Sequence, residues 1–182
     1  MLGICALIAM PLLRENGSAL SPQTVSLAAL FDAARSLAMA RSTRARVVFH
    51  NDPADEEHYR RWVGIVVQAG VDPTGVPLWQ SEGQAVLLRS GSFYFPTKSP
   101  DGAAPIAMSV WALGRESLCQ AYEYEPSGAS VQAGCHVMLV QGFVEGRRLI
   151  VPRPELRDGF LLRPYGGVTK ADRPEQLPAP IE

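Results

Sequence analysis

The pattern of apolar and polar positions divides the chain into an uncharged start, one amphipathic helix and a long region of short strands. Residues 2–13 (LGICALIAMPLL) carry no charge, and residues 14–20 end this run with charge and a glycine. Ser21 and Pro22 supply a cap residue and a proline for the first turn, which predicts that a helix begins there. Leucines and alanines at three- and four-residue spacing continue toward Arg41 and predict a helix-packing interface. This stripe consists of Leu27, Leu30, Ala34 and Leu37.

After residue 44 the period of the pattern changes, and segments rich in valine, phenylalanine and tyrosine alternate with turn residues. The predicted strands cover residues 46–50, 62–68, 85–89, 92–95, 106–111, 118–125, 135–143, 148–151 and 160–163. The chain has 15 prolines and 16 glycines, which separate these segments and favour strands and turns over a helical bundle. Glu145 and Gly146 stand where a tight hairpin turn belongs. The expected fold class is α+β, with an N-terminal helix packed on a mainly antiparallel sheet.

The expected organisation is a stem, a head and a tail. Residues 1–20 form the apolar stem, residues 21–171 the α+β head, and residues 172–182 a flexible, proline-rich tail. Three interpretations fit residues 2–13: a signal-peptide core, a buried segment of the fold, or the distal part of a membrane helix that begins upstream of Met1. The run is shorter than the roughly 20 residues with which a helix spans a bilayer.

The overall charge argues against a nucleic-acid partner. Lysine and arginine together number 17 against 18 aspartates and glutamates, which gives a net charge of -1. Basic and acidic residues also interleave along the chain, so no long stretch of one sign attracts a polyanion. We therefore predict that the chain binds no nucleic acid.

No motif in the chain indicates an enzyme, a metal site or a cofactor site. The glycine pairs match neither phosphate-binding nor dinucleotide-binding spacing, and no nucleophile elbow is present. The polar loop at residues 50–58, with His50 and His58, leaves open an exported hydrolase or a metal-binding enzyme. Trp79, Trp111 and the strand at residues 93–95 leave open a β-rich ligand-binding module. We predict no catalytic residue, no bound metal and no cofactor.

Cys119 and Cys135 flank a predicted hairpin at residues 122–128. Residues that face each other across a hairpin can meet the short Cα separation that a disulfide requires. Two reduced cysteines filling the core fit the pattern as well, because free cysteine is commonly buried. The sequence leaves both states open.

The order of segments carries a family resemblance. Ile8-Ala9-Met10-Pro11 lies inside the apolar run, an alanine-rich helix ends at residues 37–42 (LAMARS), and a basic strand follows at residues 44–49. This order resembles type IV prepilin-like proteins, most closely the H-type minor pseudopilins of type II secretion and their prepilin-like relatives. The resemblance extends over residues 2–96. The family's glycine-ended leader and early glutamate are missing, so the resemblance implies a start upstream of Met1.

The resemblance implies a structural subunit without enzymatic activity. Such a subunit is a single-pass protein of the inner membrane with its head in the periplasm, and its mature N-terminus is methylated. Its expected partners are other pilin-like subunits and an inner-membrane assembly platform. It would act by helix packing, through the stripe Leu27, Leu30, Ala34 and Leu37, and by contacts between heads.

Overall fold

The computed structural model describes residues 20–180, in which one helix precedes all the strands. The helix, α1, covers Ser21–Arg41. Eleven strands follow: β1 (Ala45–His50), β2 (Trp62–Val71), β3 (Pro77–Leu87), β4 (Ser92–Pro96), β5 (Ile106–Ala112), β6 (Arg115–Tyr124), β7 (His136–Gln141), β8 (Phe143–Glu145), β9 (Arg148–Ile150), β10 (Arg157–Leu162) and β11 (Val168–Lys170). A short 3₁₀ helix covers Pro174–Gln176.

Helix α1 begins at the predicted residue and ends in a left-handed cap. Proline lies in its first turn, but Ser21 does not cap the helix and instead accepts a hydrogen bond from Lys170 Nζ at 2.8 Å. At the other end Ser42 adopts a φ of 49°, and the Thr43 N–H donates to the Ala38 carbonyl at 3.1 Å. These bonds satisfy carbonyls that the end of a helix otherwise leaves without partners.

The strands form three antiparallel sheets. The first sheet has five strands in the order β3-β2-β1-β6-β5, and the second has four in the order β11-β10-β7-β4. Strands β8 and β9 form a separate two-stranded hairpin. The predicted class, α+β with an N-terminal helix on mainly antiparallel strands, is confirmed.

The main core lies where α1 packs against both large sheets. Phe31 occupies its centre, with ring centroids 5.1 Å from Phe160 of the second sheet and 5.5 Å from Tyr122 of the first. Phe49 and Tyr94 stack beside it with centroids 3.9 Å apart. All five side chains are almost completely buried, so this cluster joins the helix to both sheets.

The first sheet curls until its edge strands β3 and β5 approach each other. Successive strand residues face opposite sides of a sheet, so Val47 and Phe49 point into the main core while Val48 points away from it. Val48 joins a second apolar cluster with Val66, Ala121 and their neighbours inside the curl. Both faces of the first sheet therefore carry a core.

A third apolar cluster lies on the outer face of the second sheet. It contains Phe93, Phe95 and Met138, and Leu149 of the β8–β9 hairpin covers it. Leu177 also packs there and is 3% exposed. Leu177 thus anchors the short 3₁₀ helix on the head, and the flexibility of residues 172–182 stays a prediction.

The strands differ from the sequence prediction in three places. Strand β3 runs over Pro77–Leu87 rather than residues 85–89, the predicted strand at residues 135–143 is divided into β7 and β8, and β11 was not predicted. Most of β3 is solvent-exposed and its pairing with β2 is interrupted twice, so it lacks the alternation that identifies a half-buried strand. The hairpin turn near Glu145 is confirmed, with Gly146 and Arg147 both left-handed, as a two-residue turn of the primed type requires.

The predicted stem at residues 1–20 lies outside the described residues, apart from Leu20, which is buried. Within residues 20–180 no helix combines the length and the apolar character needed to cross a bilayer.

Candidate functional site

Helix α1 is held on the head by one side only. Its buried residues recur every three or four positions and form a single stripe. The stripe consists of Gln23, Thr24, Leu27, Phe31, Ala34 and Ala38. Leu27 and Ala34 of the predicted interface therefore lie in the main core, whereas Leu30 and Leu37 are partly buried at its edge. Phe31 and Ala38, which the leucine spacing did not identify, complete the contact.

Polar contacts fix the two ends of the helix against the head. Arg41 makes a bidentate ion pair with Glu82 of β3, with N–O distances of 2.7 and 2.9 Å. Arg35 Nε donates to the carbonyl of Gly128 at 3.3 Å, and Lys170 reaches Ser21 near the start of the helix. The helix therefore has a fixed orientation on the sheets.

The opposite side of α1 is open to solvent. It carries small or short side chains, among them Ser26, Ala29, Ala33 and Ser36, together with Val25, which is 59% exposed. A helix covered by such residues lets another helix approach its backbone closely.

Cys119 and Cys135 are both free thiols in the structure. The chain turns after Tyr124, but β6 belongs to the first sheet and β7 to the second, so the two cysteines do not face each other across a hairpin. Cys119 lies inside the curl of the first sheet, whereas Cys135 lies in the main core. Burial raises the pKa of both thiols, that of Cys119 to about 12.

The loop after β1 brings His50, Asp55 and His58 together around a carboxylate. Asp55 accepts a hydrogen bond from His58 Nδ1 at 3.0 Å and one from Arg115 at 2.5 Å, and it lies 3.6 Å from His50 Nε2. Among the described residues, no three histidine, cysteine or acidic side chains are placed to hold a metal ion. The cluster joins the loop to Arg115 at the start of β6.

Burial and neighbouring charges shift the pKa values of two residues in this cluster. Burial lowers the pKa of His50, and the carboxylates of Asp55 and Asp52 oppose that shift. Burial would raise the pKa of Asp55, but the hydrogen bond from His58 and the nearby positive charges outweigh it and lower that pKa.

The aromatic residues considered as a ligand site do not converge. Phe93 and Phe95 fill the third cluster of the second sheet, while Trp79 and Trp111 belong to the first sheet. Trp111 is 72% exposed at the edge strand β5, and Trp79 lies beneath the guanidinium of Arg46. These residues therefore share no groove.

An ion pair inside the curl of the first sheet was not identified from the sequence. Arg46 binds Glu123 through two nitrogens at 2.5 and 2.6 Å, and both side chains are largely buried. The Arg46 guanidinium lies 4.0 Å from the centre of the Trp79 ring. The register of β1 and β6, in which Arg46 is opposite Glu123, brings the two charges together.

Comparison with known proteins gives matches among solved structures only. No protein-family model matches the chain, and no curated protein matches it. The type IV minor pilin FimU of Pseudomonas aeruginosa PAO1 matches with a TM-score of 0.49 and 13% identity, over 87% of this chain and 92% of that one. The minor pseudopilin EpsH of the type 2 secretion system of Vibrio cholerae matches with a TM-score of 0.47 and 14% identity, over 90% of this chain and 98% of that one.

Proposed function

We propose that this chain is a prepilin-like structural subunit, of the minor pseudopilin kind, in a type II secretion or type IV pilus-like assembly. Its role is structural rather than catalytic. The apolar run at residues 2–13 belongs to a segment that anchors it in the inner membrane, with the head in the periplasm. The subunit acts by helix packing and head contacts, with other pilin-like subunits and an inner-membrane assembly platform as partners.

The observation that carries this proposal is that α1, 21 residues long, is docked on the head by one side only. Its other side, with Ala29 and Ala33, is exposed. The helix also begins shortly after the apolar run, so a membrane-anchored neighbour would present its own helix at the same level. The exposed side is thus available for contacts between helices of different subunits.

A first experiment identifies the N-terminus. The native protein is extracted from membranes of its host, and its N-terminal peptide is mapped by mass spectrometry. We expect a mature N-terminus upstream of Met1 that begins with a methylated aromatic residue and is followed by an early glutamate. An unmodified Met1 on a protein of the soluble fraction would contradict the proposal.

A second experiment tests the contact itself. Ala33→Cys is introduced into a Cys5→Ser background in the host and labelled with a maleimide–benzophenone, which needs no thiol on the partner, and photochemical cross-linking is followed by mass spectrometry of the joined peptides. We expect a cross-link to the N-terminal helix of a pilin-like subunit. Glu116→Cys, an exposed position at the far end of the first sheet, is the matched control and should give no helix cross-link. Equal cross-linking of both variants, or of neither, would argue against helix packing.

A further inference from the structure

Three arginines line a surface groove between the β8–β9 hairpin and the second sheet. The groove has a volume of about 530 Å³. Arg60 lies on one side, and Arg147 and Arg148 lie on the other. The apolar residues of the groove include Tyr59, Phe95 and Leu149. These three side chains belong to the third cluster, so the groove has a packed floor.

Arg60 is held in place by its backbone and by two aromatic rings. Its N–H donates to the His50 carbonyl and its carbonyl accepts from the Tyr94 N–H, both at 2.8 Å. Its guanidinium carbon lies 5.1 Å from the centre of the Tyr59 ring and 5.5 Å from that of Phe95, within the range of cation–π attraction. The backbone of Arg60 has a φ of +55°, a left-handed conformation that residues other than glycine rarely adopt. The fold thus accepts a strained backbone at the residue that carries this charge.

The tight turn of the hairpin presents the other two arginines. Gly146 and Arg147 form the turn, and Arg148 is the first residue of β9. Leu149, the next residue, is 6% exposed and anchors β9 to the packed floor. Both arginines are exposed, and the short hairpin limits the positions that they can reach.

The groove carries positive charge that the described part of the chain does not neutralise. Within residues 20–180 neither Arg60 nor Arg147 nor Arg148 makes an ion pair, and no acidic side chain lines the groove. By contrast, Arg41, Arg46 and Arg115 each bind a carboxylate. Arg60 Nε donates to Asn51 Oδ1 at 3.3 Å, but this partner is neutral. Three guanidinium groups without a carboxylate partner among the described residues, in one concave site, favour an anionic ligand, since field lines concentrate in such a site.

We propose that this groove binds an acidic segment of a partner protein, with two or more carboxylates paired to Arg60, Arg147 and Arg148. A guanidinium binds a carboxylate through two parallel hydrogen bonds, which gives the pairing direction as well as strength. A nucleic acid fits less well, because the rings of Tyr59 and Phe95 are buried beneath Arg60 and cannot stack on bases. This inference rests on the groove and does not depend on the proposed assembly role.

The test uses a fluorescein-labelled peptide of six glutamates as the probe, titrated with the full chain and followed by fluorescence anisotropy. We expect saturable binding that weakens with added salt. Arg147→Gln/Arg148→Gln, and separately Arg60→Gln, should weaken binding by about tenfold or more, while Arg147→Lys/Arg148→Lys should lose less because it keeps the charge. Arg163→Gln/Arg173→Gln removes two exposed charges outside the groove and should bind the probe as the unmodified chain does.

Several results would overturn the inference. One is a probe that does not bind, and another is an equal loss in the control and groove variants. Inorganic phosphate that competes as well as the peptide would indicate a general anion site instead. A single-stranded oligonucleotide that binds through the same arginines more tightly than the peptide would assign the groove to nucleic acid. Thermal unfolding of each variant shows whether a loss of binding reflects a loss of fold.

Discussion

The hydroxyl oxygens of Tyr94 and Tyr122 lie 2.9 Å apart and form a hydrogen bond between the two large sheets. Tyr94 belongs to β4 and Tyr122 to β6, and both residues are completely buried. Burial raises the pKa of each phenol, so both stay protonated over the range in which the protein is folded. The bond therefore joins the two sheets through two uncharged hydroxyl groups that are fully buried.

The losses in unfolding free energy from removing the two hydroxyls of this pair singly should add up to more than the loss from removing both together. Tyr122→Phe leaves the Tyr94 hydroxyl buried without its partner, and we expect a loss of about 1–3 kcal/mol in the free energy of unfolding. Tyr94→Phe should also destabilise the chain, whereas the double variant should lose less than the sum of the two. Urea unfolding of all four proteins measures the coupling. Strictly additive losses would show that the two hydroxyls do not interact.

Phe31 should be the most sensitive position of the helix. It is fully buried and packs against the rings of Phe49, Tyr122, Tyr124 and Phe160, so Phe31→Ala should lower the free energy of unfolding by about 3–5 kcal/mol. Leu30→Ala, at the edge of the core, should lower the free energy of unfolding by less than about 2 kcal/mol. Val25→Ala, at an exposed position, should change it by no more than about 0.5 kcal/mol. Denaturant unfolding gives this order. A greater loss of unfolding free energy in Leu30→Ala than in Phe31→Ala would show that the leucine stripe, rather than Phe31, is the main contact of the helix.

The ion pair inside the first sheet should respond strongly to loss of one charge. Glu123→Gln leaves Arg46 largely buried without a counter-charge, and we expect a loss of about 3–5 kcal/mol in unfolding free energy. Replacing both partners with apolar residues, Arg46→Met/Glu123→Leu, should cost less than the single change. Glu82→Gln, which breaks the more exposed pair with Arg41, should cost no more than about 1 kcal/mol and is the control. Equal losses at Glu123 and Glu82 would mean that burial does not amplify the interaction.

The two cysteines should resist alkylation in the folded protein. Both are buried with raised pKa values, so neither forms the reactive thiolate at mildly alkaline pH. In a Cys5→Ser variant, iodoacetamide should label neither thiol before unfolding and both after unfolding in guanidinium without a reductant. Intact mass spectrometry counts the labels. Thiols that react only after reduction would show that Cys119 and Cys135 form a disulfide in the isolated protein.

The stability of the chain should fall as the pH drops below about 6.5. Burial lowers the pKa of His50 from its ordinary value of 6.5, so the unfolded chain takes up a proton before the folded chain does, and protonation favours unfolding. Burial lowers the pKa of His136 in the same direction. Asp55, whose pKa is also lowered, adds stability that is lost only at still lower pH, below its ordinary value of 3.8.

This pH dependence is measured by urea unfolding at a series of pH values. His50→Gln should reduce the slope between neutral and mildly acidic pH, where one proton changes the free energy by at most about 1.4 kcal/mol per pH unit. His136→Gln should remove the second contribution. A slope that is unchanged in both variants would show that other groups control the acid response.

The sequence predicted local elements well because their signals are local. Pro22 marks the helix start, and the consecutive β-branched and aromatic residues from Val47 to Phe49 mark β1 with little reference to the rest of the chain. The division into two large sheets depends on where the segment between β6 and β7 crosses the molecule, and no spacing of residues records that path. The disulfide alternative assumed that the two strands pair, and they do not.

Which residues meet in each site was harder to predict, because these contacts also depend on how distant segments pack together. Phe31 was missed because the leucine spacing defines a stripe rotated from the one that packs. Arg46 and Glu123 meet only through strand register, and Arg60 meets Arg148 only through the packing of a hairpin on the second sheet. Each of these contacts joins residues far apart in the sequence, so a single sequence contains no periodic signal for it.

The curl of the first sheet has a consequence for how this head can meet a neighbour. Because β3 and β5 approach each other, a strand from another protein that paired with either edge there would run into the opposite edge before it could extend the sheet. A partner protein that binds on this side of the molecule therefore contacts side chains rather than edge backbone groups. A change of surface residues can then alter the choice of partner without disturbing the backbone.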